Sequence, residues 1–338
     1  MTYKIYLLII LAISSVLFFS CTSQKTPTYQ KSRALLDTFV TITIKADSRE
    51  SAEDAIEEAF EVIRKFGDLI NFYSGESEIS AINRNAGIRA VKVSSETFDI
   101  IEKALFISEK SEGAFDPTIG PEVQLWDFSN NIKPADNEIR QRLGLVNYRN
   151  IVLDREKFTV FLKNEKMLLD LGGIAKGYAA DIAVQSLKRK GISSGIVAVA
   201  GDIKSFGRRS ENKPWIVGIR NPRQEGADED IFARLPLDEK AISTSGDYER
   251  FFILNGRRFH HIIDPRTGYP SDASRSVSVI ADDGCLTDGF ATALFIAGPE
   301  RGMELAKEMG MDAIIIGNDG TVHITPGLEG KITFERNN

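Results

Sequence analysis

Phe251-Phe252-Ile253-Leu254-Asn255-Gly256-Arg257-Arg258-Phe259-His260-His261-Ile262-Ile263 is the stretch from which the fold can be read outward. Asn255-Gly256 separates two short runs, and an Asn-Gly pair suits a type I′ turn, whose twist matches that of the strands it joins. A β-hairpin is therefore predicted, with strands over residues 251–254 and 257–263. Around it, helical and extended patterns alternate without an internal repeat.

Val40, Ile42 and Ile44 alternate with Thr41 and Thr43, which places a strand within residues 35–44. Ala52, Ile56, Ala59, Phe60, Ile63 and Phe66 recur at helical spacing and predict an amphipathic helix over 49–70. A second helix is expected over 95–111, and a third over 175–190, stopped by Gly191. Short strands are expected at 151–153, 158–162, 167–169, 195–200 and 215–219. The last part reads as a strand over 276–281, helices over 288–297 and 300–309, and strands over 313–316 and 322–325. No Pro-, Gly- or Ser-rich linker divides residues 35–335, so they form one α+β unit.

The 338 residues are 42% hydrophobic with only 2 Cys, a composition that excludes disordered and disulfide-stapled classes. A net charge of −6 offers no long-range attraction to nucleic acid, so no nucleic-acid partner is expected. Residues 1–20 hold one cation, Lys4, no acid, and an apolar run over 5–19 that is too short to span a bilayer comfortably. This is the pattern of a secretory signal. Phe18-Phe19-Ser20-Cys21 resembles the lipobox of bacterial lipoproteins, which makes Cys21 the lipidated first residue of the mature chain and residues 21–34 a polar tether. An uncleaved anchor or an ordinary signal are the alternatives, and each puts the bulk of the protein outside the cytoplasm. Acylation of Cys21 leaves Cys285 unpaired, with no cation beside it in sequence to activate the thiol.

Four clusters carry chemistry. Asp170-Leu171-Gly172-Gly173-Ile174-Ala175-Lys176-Gly177-Tyr178-Ala179 takes a strand into a helix through a glycine-rich bend. Such a bend allows close backbone approach to a ligand, the helix N-terminus favours an anion, and Lys176 adds charge; a tight turn alone is the other reading. Ala114-Phe115-Asp116-Pro117-Thr118-Ile119-Gly120-Pro121 is a stiff loop, fit either to hold a ligand or to bury its aromatic residue. Ser243 to Glu249 and then His260 to Pro270 flank the hairpin. Adjacent strand residues face opposite ways, so only one of His260 and His261 can face a shared site. His261 is the candidate to bond phosphate or act as a base, against a structural role. Finally, Asp288 and Thr292 are four apart on a helix and present a carboxylate and a hydroxyl to one point. Hard oxygen ligands of this kind suit Mg²⁺, unless Asp288 is only an N-cap.

Taken in order, these motifs, with Tyr73 and Ser77-Glu78-Ile79-Ser80 upstream, resemble the ApbE family, the FAD:protein FMN transferases, from about Leu35 to near the C-terminus. The resemblance implies a single ApbE-like, T-fold-related domain of mixed, largely antiparallel sheets with packed helices. It implies a lipoprotein of the inner membrane, facing the periplasm through Cys21, that uses FAD as substrate and Mg²⁺ as cofactor. FMN would pass to a Thr hydroxyl of a target flavoprotein, a subunit of the Na⁺-pumping NADH:quinone reductase or of Rnf complexes, with AMP released. By motif, Asp288, Thr292 and the carbonyl of Ala175 would hold the metal. Tyr73 would stack on the isoalloxazine, and Leu36, Ala114, Phe115, Asp116, Gly172, Tyr178 and Ile262 would line the FAD site, with Lys176 and His261 near phosphate. Leu36-Asp37-Thr38 stands where the family often has Met-Gly-Thr. Asp288 or His261 would serve as the base. Two rivals are hydrolysis of FAD to FMN and AMP by the same geometry, and a flavin-binding lipoprotein without catalysis.

Overall fold

Eight strands, each antiparallel to its neighbours, form the central sheet of the computed structural model, which describes residues 26–210, 213–223 and 231–335. In chain order the strands of the whole molecule are β1 (Thr28–Leu35), β2 (Thr38–Lys45), β3 (Val91–Lys92), β4 (Ile151–Asp154), β5 (Thr159–Leu162), β6 (Gly195–Val199), β7 (Asp202–Phe206), β8 (Trp215–Arg220), β9 (Ile231–Leu237), β10 (Ala241–Gly246), β11 (Phe251–Leu254), β12 (Arg257–His260), β13 (Ser274–Ala281), β14 (Asp312–Gly317), β15 (Val322–Ile324) and β16 (Thr333–Phe334). The helices are α1 (Arg49–Ile70), α2 (Glu78–Arg84), α3 (Ser95–Lys110), α4 (Gly120–Val123), α5 (Asp136–Leu143), α6 (Ala175–Arg189) and α7 (Gly284–Glu308). The central sheet runs β1-β2-β6-β7-β10-β13-β14-β15; the smaller sheets are β3-β5-β4, β16-β9-β8 and the β11-β12 hairpin. The architecture is α+β with antiparallel sheets, as expected.

Helices α1, α6 and α7 bury their apolar stripes on one face of the central sheet, where Ile56, Phe60, Ile63 and Phe66 of α1 meet Val40 and Ile42 of β2. Each such side chain contributes about 1.5–3 kcal/mol when buried. The opposite face is partly covered by β8 and β9, through Val217, Ile219, Leu235 and Leu237 packing on Ile242, Ile280 and Ile314. A third cluster of Trp126, Ile139, Phe252, Phe259 and Ile263 seats the hairpin. Asn255 and Gly256 have φ of 51° and 76°, the left-handed pair that a type I′ turn requires.

Several expectations are corrected. The tether read over 21–34 ends early, because β1 already begins at Thr28. The polar residues belong to an edge strand: Lys31 and Arg33 of β1 pair with Glu57 of α1, and charge is how edge strands avoid foreign partners. Residues 167–169 form no strand. The Asn83 side chain takes both polar groups of Leu169, at 2.7 and 3.0 Å, and Pro117 accepts from the Asp170 N–H at 2.8 Å. The hairpin strand stops at His260 rather than 263. The two C-terminal helices are one element, kinked at Gly298 and Pro299, and it starts at Gly284, four residues before Asp288. Strand β10 went unread because Ala241-Ile242-Ser243-Thr244-Ser245-Gly246 is rich in hydroxyls; these bond Thr287, Ser278 and Thr292 across the sheet and α7. Residues 1–25, including the signal and Cys21, lie outside the described residues.

Glu122 of α4 is fully buried, and neither carboxylate oxygen has a partner. Burial pushes its pKa up to about 7. The folded chain therefore holds a proton that the unfolded chain releases near pH 4.5, so Glu122 weakens the fold progressively as pH rises from there through 7. Glu122→Leu should stabilise the protein by about 1–3 kcal/mol at pH 8, with a smaller gain at pH 5, in urea unfolding at the two pH values.

Candidate functional site

The site is built where α6 and α7 touch at their glycines. A Cβ on Gly177 would lie 1.9 Å from the Gly284 carbonyl oxygen and 2.8 Å from Asp288 Cβ, so only glycine allows this crossing. The crossing lets the Gly177 N–H donate to Asp288 Oδ2 at 2.9 Å. Asp288 is not the cap of α7; that role belongs to Asp283, which accepts from the Leu286 N–H at 2.9 Å. Asp288 is free to face α6 because it sits one turn further in.

Thr292, a turn beyond, faces the same way. A Cβ on Gly173 would lie 3.4 Å from Thr292 Oγ1 and 3.3 Å from Phe115 Cε2. The glycine bend, the stiff loop and the acid–alcohol pair therefore converge, although 111 positions separate Gly177 from Asp288. Thr292 Oγ1 also lies 3.3 Å from Ser245 Oγ on β10. Ala175 opens α6 and is buried.

Lys176 forms an ion pair with Asp202 of β7, an acid 1 % exposed whose Oδ1 has no partner. Burial opposes the charge on Lys176, but Asp202 and Asp288 together hold its pKa above the ordinary value. Burial first, and then Asp202, drive the Asp288 carboxyl well above the usual carboxylate range. The cluster thus contains two buried acids and one lysine.

The two histidines divide as the strand pattern requires. His260 Nε2–H donates to the Ser271 carbonyl at 2.6 Å, and its Nδ1 accepts from the Ile262 N–H at 3.3 Å, which fixes the neutral tautomer. It is a core tie, edge-on to Phe295. His261 Nδ1 is buried without a partner. Burial, then Arg250, His260 and Lys176, push its pKa down to about 3, so its imidazole is neutral at physiological pH.

The remaining residues fall in two groups. Tyr73 is 78 % exposed, with its ring edge-on to Phe72 at 5.1 Å. Gly172 donates its N–H to Asp170 Oδ1 at 2.7 Å. Leu36 and Asp37 take φ of 53° and 55° in the β1–β2 turn, and Leu36 rests against Gly67 of α1. Ala114, Phe115 and Ile262 are buried in the main core. Two side chains have partners within the protein. The Asp116 carboxylate is taken up by Thr118 N–H at 2.8 Å, Thr118 Oγ1 at 2.6 Å and Tyr148 N–H at 2.9 Å, which leaves it a loop-fixing role. Tyr178 stacks on Phe66 of α1 at 4.8 Å, with Lys103 of α3 over its ring at 5.8 Å.

Asp202 and Arg250 were missed. A lone acid opening a strand, and an arginine following Asp247-Tyr248-Glu249, carry no spacing signal by themselves. A separate cavity of 520 Å³, lined by residues including Arg257, Asp264, Arg266, Tyr269 and Ile296, shares no residue with this cluster. Among the described residues, no three His, Cys, Asp or Glu side chains converge on a point that could hold a metal ion.

The profile of the ApbE family matches residues 36–315. A FAD:protein FMN transferase of Klebsiella pneumoniae is 35% identical over 76% of this chain and 80% of its own length. Another, from Treponema pallidum, is 32% identical over 90% of this chain and 88% of its own. The crystal structure of an ApbE protein from Thermotoga maritima superposes with a TM-score of 0.84 at 31% identity, covering 92% of this chain and 100% of that one.

The glycine crossing has a direct test. Gly177→Ala must push α6 from α7, and should cost about 1–3 kcal/mol or more in urea unfolding. Gly173→Ala, with nothing nearer than 3.3 Å, should cost under about 1 kcal/mol.

Proposed function

This chain belongs to the ApbE family, and from that premise we propose that it moves the FMN half of FAD onto a threonine hydroxyl of an acceptor flavoprotein, with AMP leaving. The observation that carries the reading is the meeting of Asp288 and Thr292 with the Gly172-Gly173 bend at the start of α6. A dinucleotide needs its pyrophosphate held where a cation, backbone N–H groups and a positive side chain converge. The residues that would supply them come here from two helices and a loop.

The donor set fits Mg²⁺. One carboxylate, one hydroxyl and a backbone carbonyl are hard oxygens, and Mg²⁺ takes its other ligands from water and phosphate rather than from a closed protein cage. The two acids and one lysine of the cluster leave one buried oxygen of Asp202 without a donor, an arrangement short of positive charge. Asp288, Thr292 and the Ala175 carbonyl would hold the ion. Bound there, Mg²⁺ supplies neutralisation of the charge that grows on the pyrophosphate as its bridge breaks.

The chain's own groups account for the rest. His261, neutral and with Nδ1 free, is able to take the proton that the acceptor hydroxyl loses. Lys176, held by Asp202, keeps its charge beside the bend and attracts phosphate. Tyr73, exposed at the bend, offers a ring face to the isoalloxazine. The acceptor is taken to be a subunit of the Na⁺-pumping NADH:quinone reductase or of an Rnf-type complex. The enzyme would work on the periplasmic side of the inner membrane, anchored through Cys21.

Incubation with FAD, Mg²⁺ and an acceptor subunit tests the reading: flavin should stay on the denatured acceptor, and free FMN formed without acceptor would indicate hydrolysis instead. Asp288→Ala should lower transfer by at least about 10³-fold while the thermal melt is retained. Because burial raises the Asp288 pKa, the ion must displace a proton at low pH. Apparent Mg²⁺ affinity should therefore weaken by up to about tenfold per pH unit as pH falls below neutrality, measured by titration at fixed FAD.

A further inference from the structure

The hairpin that carries His261 also carries a guanidinium with no partner among the described residues. The β11–β12 ladder ends at Phe251 opposite His260, and one step beyond it the His261 N–H donates to the Arg250 carbonyl at 3.0 Å. Residues directly opposite on an antiparallel ribbon project to the same side. Arg250 and His261 therefore share a face with Phe252 and Phe259, which are buried around Trp126 and fix the ribbon's orientation. The other face holds Phe251 under Arg258, at 3.8 Å, and the core-tied His260.

Nearby arginines are spoken for. Arg223 is bidentate to Asp247 at 2.7 and 2.6 Å, and Arg266 is bidentate to Asp264 at 2.9 and 2.8 Å. The exposed Arg250 side chain makes no hydrogen bond or ion pair among the described residues. Its charge reaches groups of three separate segments: it offsets part of the rise in pKa of Tyr73 and Asp170, and adds to the burial that lowers that of His261. It stands across the ribbon from the His261 imidazole, and its charge reaches Tyr73 and the Asp170 end of the glycine bend.

Resting on the function proposed above, we infer that Arg250 grips the flavin-side phosphate of FAD, the phosphoryl group that is transferred. On that reading Tyr73 marks the flavin end and His261 with Lys176 the pyrophosphate, whose flavin-side half is the phosphate nearer Tyr73. In the reaction the acceptor oxygen bonds to that phosphorus while the bond from phosphorus to the bridging oxygen breaks. The hydroxyl proton passes to His261 Nδ1, and AMP departs with the bonding pair. The phosphorus keeps two non-bridging oxygens throughout, and a planar guanidinium fork matches such a pair. The fork would hold substrate, transition state and the phosphodiester product alike.

The test separates phosphate from ring. Binding of riboflavin and FMN to the full chain, without metal, is followed by quenching of flavin fluorescence for the wild type, Arg250→Gln and Arg250→Lys. The preference for FMN over riboflavin should fall about tenfold or more in Arg250→Gln and partly recover in Arg250→Lys, with thermal melts unchanged because the side chain is exposed. An unchanged FMN preference in Arg250→Gln, or an equal loss of riboflavin affinity, would overturn the inference. A wild type that leaves no covalent flavin on the acceptor would instead overturn the transferase reading, independently of Arg250.

Discussion

The contact between Gly177 and Gly284 is the constraint on which the rest depends. Two helices meet with backbone against backbone, and the 1.9 Å clearance at the position of a missing Cβ leaves no room for any side chain. The proximity lets one backbone N–H reach a carboxylate on the other helix. It also sets Thr292 against Gly173, and so aligns a sequence-remote acid and alcohol with the first turn of α6. The long apolar stripes of α1, α6 and α7 supply the burial that holds the helices at this distance.

Charge at the crossing is kept out of balance. Asp202 and Asp288 are both buried, and Lys176 is the cation placed against them. Burial and the neighbouring Asp202 hold the Asp288 carboxyl above the usual carboxylate range. His261 is kept neutral by the same neighbourhood, because burial and the positive groups Arg250 and Lys176 all oppose a proton on its ring. One locality thus sets buried acids on one side and a neutral imidazole on the other.

The loops around this centre are stiffened by bonds within the protein. Asp116 spends its carboxylate on Thr118 and Tyr148, and Asn83 pairs with the backbone of Leu169. These ties fix Phe115 and the bend before any ligand is present, which reduces the ordering cost of binding. The hairpin is seated separately by the aromatic cluster around Trp126, so His261 and Arg250 ride on a support that is distinct from the two helices.

Wherever local periodicity and turn chemistry decide, the structure could be read from the residues alone. Helix α1 follows from the recurrence of Ile56, Phe60 and Ile63, and the hairpin from Asn255-Gly256. The pairing of Asp288 with Thr292 follows from helical spacing, and the opposite facing of His260 and His261 from strand alternation. Tertiary structure decided what those rules do not contain. Strand β1 is polar and β10 is rich in hydroxyls, and only neighbouring strands and helices make them strands. Asp116 and Tyr178 face inward because partners remote in sequence occupy their side chains. Asp202 and Arg250 matter only through groups that long-range packing brings near them. Local rules act over a few residues, whereas burial and electrostatics are set by whichever segments folding places within a few ångströms of each other.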